Sequence, residues 1–222
     1  DPKGVKKQLI ARLLTDIMSG AARFRAYWMS TIITGVKDVS GKQLKKLYSD
    51  AYVWMDYLSI PQHASHRVDQ VKAISCITDY VAMSDLFIVV AGPWKGEDGS
   101  IRDFRAWNSR GWCRMENLAN ALSPSIKSFV VAESPSKVLT FGPSGFLFRT
   151  WRTELVGNGS FTVDEDRLSL GPVIATLIQR RKAQAQADGD VETFRHLHAY
   201  SAALLSNTGV EVVREPRDEW MA

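Results

Sequence analysis

Two short apolar runs with a glycine-led helix between them constrain this chain more than any other feature. The first run is Leu86-Phe87-Ile88-Val89-Val90 and the second is Ser128-Phe129-Val130-Val131. Both are rich in β-branched and aromatic residues and bounded by Gly, Pro or Ser, which predicts buried strands. Between them Arg110-Gly111-Trp112-Cys113-Arg114-Met115-Glu116-Asn117-Leu118 reads as a turn running into a helix. A crossover helix of this kind joins parallel strands. The expected class is therefore α/β, a parallel sheet flanked by helices. In such sheets ligands gather at the carboxyl ends of the strands, where crossover helices begin. Glu116, in the first turns of that helix, is favoured by the helix dipole and can face a cleft.

The flanking sequence extends the pattern. Val5, Leu9, Ile10, Leu13, Leu14 and Ile17 form a helical stripe. Phe24, Tyr27, Trp28, Ile32 and Ile33 suggest a second helix over 21–34, and 43–48 a short basic one. Residues 51–60 are nearly all apolar except Asp56 and end before Pro61, which predicts a buried strand with an acid near its C-terminal end. Asp56 then marks a site, or else caps a turn or pairs with an arginine. A helix is expected over 67–83, a loop over 92–107 and a further short strand over 138–141. Phe148, Trp151 and Leu155 suggest a short element, and Gly157-Asn158-Gly159 a turn. Thr162 to Glu165 has capping-box spacing and opens a helix near Asp164, interrupted at Gly171-Pro172 and resumed over 173–187. Asp188-Gly189-Asp190 breaks it before a last helix over 191–205, giving an αα-hairpin packed beside the sheet.

Composition narrows the chemistry. The 222 residues carry a net charge of +4 in scattered basic clusters, at Lys3, Lys6 and Lys7, at Lys42, Lys45 and Lys46, and at Arg180, Arg181 and Lys182. Scattered clusters are solvated helix faces more often than a nucleic-acid footprint, so a nucleic-acid partner is not expected. Two cysteines make no disulfide framework, and a reducing, cytoplasmic setting follows. The longest apolar run is far too short to span a bilayer, so no membrane partner is expected. Starting on Asp1-Pro2-Lys3-Gly4, the chain reads as an excised piece of a longer protein. Cys113, flanked by Arg110 and Arg114, is either an activated thiol or, more plainly, a small buried residue. His63 and His66 lack a metal-ligand pattern, and His196 and His198 fall on different helix faces; no metal and no resident cofactor are expected. Trp94, Trp107 and Trp112 cluster before Glu116 and either stack on a ligand ring or anchor the loop.

The organisation resembles a known family. Trp112-Cys113-Arg114-Met115-Glu116 and Leu118, after the strand at 86–90, are similar to the third helix of TIR domains with its Trp-Cys-x-x-Glu pattern. Val53-Trp54-Met55-Asp56-Tyr57-Leu58-Ser59-Ile60-Pro61-Gln62 looks like the Trp-x-Asp-x-x-x-Ile-x-Gln segment of fungal heterokaryon-incompatibility (HET) domains, a TIR-like group, and Gln70 fits it too. The likeness covers about residues 50–133. It implies a flavodoxin-like domain over 1–145 with its first strand missing, followed by a helical extension over 146–222. It also implies an intracellular signalling domain that cleaves NAD+ between nicotinamide and ribose, with Glu116 catalytic and Asp56 and Trp112 shaping the pocket. Trp94 and Arg114 join them as candidate substrate contacts. The alternative is a non-catalytic module working by self-association or by binding other protein domains.

Overall fold

The computed structural model describes residues 4–61, 63–123, 129–142 and 154–211. Its centre is a four-stranded sheet in the order β1-β4-β3-β2, formed by β1 (Arg25–Ala26), β2 (Phe87–Val90), β3 (Phe129–Ser134) and β4 (Lys137–Phe141). β2 and β3 are parallel, as the crossover predicted, with Phe87 opposite Phe129 and Val90 opposite Ala132. β1 also runs parallel to β4, but β3 and β4 are antiparallel. The sheet is therefore mixed. The cause is the short Pro135-Ser136 turn: two residues can reverse a chain but cannot carry it back to start a parallel neighbour.

Helices cover both faces of the sheet. On one, Leu13 and Ile17 of α1 (Val5–Ser19) and Leu44 of α3 (Gly41–Tyr48) pack on Val130, Ala132 and Val138. On the other, Val89, Phe129 and Val131 meet Ala121 of α8 (Gly111–Ala121) and the rings of Phe104 and Trp107 in α7 (Phe104–Asn108). α3 starts on a capping box in which Ser40 and Gln43 satisfy each other's backbone N–H groups. Between α1 and α3 lies α2 (Trp28–Thr34), shorter than the predicted helix because β1 takes the first part of its span.

Residues 51–60 are not a buried strand. They run extended without a ladder partner and then form the single turn α4 (Asp56–Ser59), with Tyr52, Val53 and Leu58 exposed. Local bonds satisfy the backbone: Leu58 N–H reaches Met55 O at 3.0 Å and Ile60 N–H reaches Asp56 O at 3.0 Å. Asp56 occupies the first helical position, where a carboxylate is stabilised by the exposed N–H groups. The helix expected over 67–83 breaks at Cys76 into α5 (Arg67–Ser75) and α6 (Ile77–Met83).

The C-terminal hairpin is α9 (Glu165–Ala187) and α10 (Val191–Leu204). Its apolar side, including Leu170, Ile174, Ile178 and Leu197, joins Val81 of α6 and Met115, Leu118 and Leu122 in one core. α9 starts at Glu165, with no side-chain cap from Asp164, and Gly171-Pro172 do not interrupt it. Pro172 removes one N–H, but Leu170, Ile174 and Ile178 around it are buried and hold the helix through that loss. Gly171 allows a close approach, since a Cβ there would lie 2.5 Å from Thr208 O. The segment at Gly157 is a turn of 3-10 helix, as expected of a turn. The element suggested at Phe148 and Trp151 lies outside the described residues, as does Gln62. No helix among the described residues is long and apolar enough to cross a membrane.

Candidate active site

The start of α8 is seated by the chain fifty residues further on. Gly111 donates its N–H to Ser160 O at 2.9 Å, and Ser160 returns its N–H to Ser109 O at 2.8 Å. Gly111 and Gly159 meet backbone to backbone: a Cβ on Gly111 would run into the Phe161 ring, and one on Gly159 into Gly111 itself. Arg114 fixes the next turn, its Nε donating to Asn108 O at 2.8 Å and its Nη1 to Leu155 O at 2.9 Å. Trp112 donates Nε1–H to Asp166 Oδ2 at 3.0 Å, tying α8 to the first turn of α9.

Glu116, on the second turn, is half-buried by surface area, yet most of what surrounds it is protein. Among the described residues no hydrogen bond or ion pair engages its carboxyl group. Removal from water pushes its pKa up to about 8; the Asp56 carboxylate adds to the rise and Arg110 opposes it. At neutral pH Glu116 is mainly the neutral acid. Lys6, half-buried on α1, is pushed below the usual lysine range by burial and then by Arg110, while Cys113 and Asp56 pull it back. Lys6, Asp56, Arg110, Cys113 and Glu116 thus share one electrostatic neighbourhood drawn from α1, α4 and α8, with Arg102 at its margin. The arrangement grades from exposed Asp56 and Arg110 through half-buried Lys6 and Glu116 to buried Cys113. Burial pushes the Cys113 thiol up to about 12, which favours the plain reading of that residue over an activated nucleophile.

The other predicted contacts do not converge on Glu116. Asp56 does, through its charge, but from the exposed turn α4 rather than from a strand end. Trp112 and Arg114 are engaged in the structural bonds just described. Trp94 folds back over the end of β2, where a Cβ on Gly92 would lie 2.5 Å from its indole. Trp107 lies 5.7 Å from Phe104 ring to ring, within the core. His63 and His66 are exposed, and no group of three metal-ligating side chains forms among the described residues. His196 and His198 face Tyr200 and Phe194 respectively, two separate i, i+4 contacts on α10.

Sequence reasoning missed two kinds of residue here. Lys6 was seen only as part of a basic cluster, and nothing in its spacing signals half-burial beside α8. Asn117 and Asn120 are 1% and 2% exposed, and neither Asn117 amide atom nor Asn120 Oδ1 has a hydrogen-bond partner among the described residues. At positions 113, 116, 117 and 120 they share one side of α8 with Cys113 and Glu116. Asparagines at that spacing inside a buried helix were the available signal.

Two clefts lie elsewhere. One of about 190 Å³ separates α6 from α9 and is crossed by an Arg180–Asp79 ion pair at 2.8 Å. The other, about 290 Å³, is walled by residues 20–23 and by Asp38, Ser40 and Gly41. Glu116 lines neither. Compared with known proteins, the chain matches no family model, and no curated protein or solved structure matches it at the significance required.

Proposed function

We propose that this chain is a TIR/HET-like, flavodoxin-like intracellular signalling domain that cleaves NAD+ at the nicotinamide–ribose bond, with Glu116 as its catalytic acid residue. The observation that carries the reading is the state of Glu116: a carboxyl group with no partner among the described residues, withdrawn from water, on the crossover helix between two parallel strands. Breaking the bond leaves a cation-like ribose, which a carboxylate stabilises, and water completes the reaction to give nicotinamide, ADP-ribose and a proton. A neutral acid suits this chemistry because arrival of the cationic nicotinamide ring beside it favours ionisation, so the negative charge develops where it is used. Lys6 and Arg110 supply positive charge nearby for the diphosphate.

The second reading, an interaction module without catalysis, is favoured by apolar surface. Tyr52, Val53 and Leu58, next to Asp56 in sequence, and Val68 and Val71 of α5 are all exposed, and α5 buries none of its residues. The test is nicotinamide release from NAD+ by the purified chain at high protein concentration, beside Glu116→Ala and Glu116→Gln. Release that falls at least about 100-fold in both variants is the expected outcome. No release from any of the three proteins sinks the enzyme and leaves the interaction module.

A further inference from the structure

α2 is built inside out. Its inward side chains are polar: Ser30 is 2% exposed, and Thr34 packs against Gly142 and donates to Ser30 O at 2.7 Å. Its outward side chains are large and apolar: Trp28 is 59% exposed, Ile32 74%, Ile33 55% and Met29 40%. At positions 28, 29, 32 and 33 they form one contiguous face. A helix that serves only the fold turns these residues the other way.

The exposure is held in place. The excursion 27–37 is closed at its base by Phe24 and Val39, which exchange backbone bonds at 3.1 and 2.8 Å, and by Ala26 N–H to Asp38 Oδ1 at 2.9 Å. Its entry is pinned by Tyr27, whose N–H donates to Thr140 O at 2.8 Å and whose ring lies 4.8 Å from that of Phe141. No charged residue occurs from 27 to 36, but cations flank the stretch. Residues 20–50 hold six, Arg23, Arg25, Lys37, Lys42, Lys45 and Lys46, against Asp38 and Asp50, which is the whole of the chain's +4. Asp38 is itself engaged by Arg23 at 2.9 Å, while Lys42, Lys45, Lys46 and Leu47 of α3 are exposed.

We propose that the outer face of α2, with the cations that flank it in sequence, docks on an anionic lipid surface, Trp28 and Ile32 entering the headgroup boundary. Apolar residues led by a tryptophan and bordered by lysines and arginines have the chemistry of an interfacial anchor. A second copy of the chain fits less well. Four side chains on a seven-residue helix fall short of the roughly 800 Å² per partner of a stable protein interface, and like charges would face one another across it. Absence of a bilayer-spanning run does not bear on this, because a segment lying in the interface plane needs none.

The test is flotation of the purified chain with vesicles of phosphatidylcholine alone and of equal parts phosphatidylcholine and phosphatidylserine. Binding is expected on the mixed vesicles only, weaker by roughly tenfold or more in Trp28→Ser/Ile32→Ser and in Lys42→Gln/Lys45→Gln/Lys46→Gln. Both variants change exposed side chains, so thermal unfolding should match the unmodified chain and exclude misfolding as the cause. No binding to mixed vesicles overturns the proposal. So does binding that survives Trp28→Ser/Ile32→Ser, or a wild-type dimer that this variant dissociates.

Discussion

α2 and α8 each follow a parallel strand, and each breaks the ordinary rule of solvent partition in the opposite sense. α8 buries polar side chains: Glu116 is largely withdrawn from water, and Asn117 has no partner for its amide among the described residues. α2 exposes apolar ones while burying a serine. In both, the helical periodicity is clear in the sequence, but periodicity says only that a helix has two faces, not which one turns inward. The inward face is chosen by the rest of the core. Met115, Leu118 and Leu122 are taken up by α6, α9 and α10, which leaves the opposite side of α8 to Glu116 and its neighbours. None of the apolar residues of α2 joins a core cluster among the described residues; its inward side is Ser30 and Thr34, the latter against Gly142 just past β4.

The largest test of that contrast is a matched pair. Met115→Ala, in the core face of α8 and fully buried, should cost about 3 kcal/mol in denaturant unfolding. Ile32→Ala on α2 should shift stability by less than about 0.5 kcal/mol. A cost above about 2 kcal/mol for Ile32→Ala would mean that α2 packs its apolar face inward in solution.

The next effect is on pH. The Glu116 pKa is raised in the folded chain from its ordinary 4.5 to about 8, so the folded state binds the proton more tightly than the unfolded one. This stabilisation is fully present below about pH 4.5 and is lost as pH rises through about 8. Glu116→Gln should flatten that slope and leave the variant about 2 kcal/mol more stable than the unmodified chain at the top of the range. Parallel stability curves for the two proteins would show that the carboxyl is solvated. The smallest effect belongs to the link between α8 and the hairpin. Trp112→Phe removes the bond to Asp166 while keeping most of the ring, and should cost about 1 kcal/mol. An unchanged unfolding midpoint would show that the 3.0 Å contact adds nothing to stability.

What the sequence made legible, and what it hid, divides along similar physical lines. The β2–α8–β3 unit was readable because short β-rich runs, a glycine turn and a long helical stripe are each locally decided. The antiparallel β4 was readable too, had turn length been weighed above fold class: Ser134-Pro135-Ser136 leaves no room for a crossover. Residues 51–60 misled because a continuous apolar run is the signature of a buried strand only when a ladder partner exists, and here local bonds around Asp56 took the backbone instead. Within the site, Glu116 could be singled out from its place after a strand. Lys6 could not, because its meeting with α8 joins residues more than a hundred positions apart. Trp112 and Arg114 were readable as belonging to this region but not as structural ties, since Asp166 and Leu155 lie 54 and 41 positions further along the chain.

The contact of Gly111 with Gly159 also has a consequence for the order in which the molecule assembles. The start of α8 takes its seat only against residues 159–161, so a ribosome must deliver that later stretch before the helix can settle. Local helix formation is fast, whereas closing a contact across about fifty residues waits on a slower chain search. The start of α8 therefore takes its native position late in folding. A nascent chain halted before residue 154 holds the β2–α8–β3 sequence in full but lacks the seat that residues 159–161 give to Gly111.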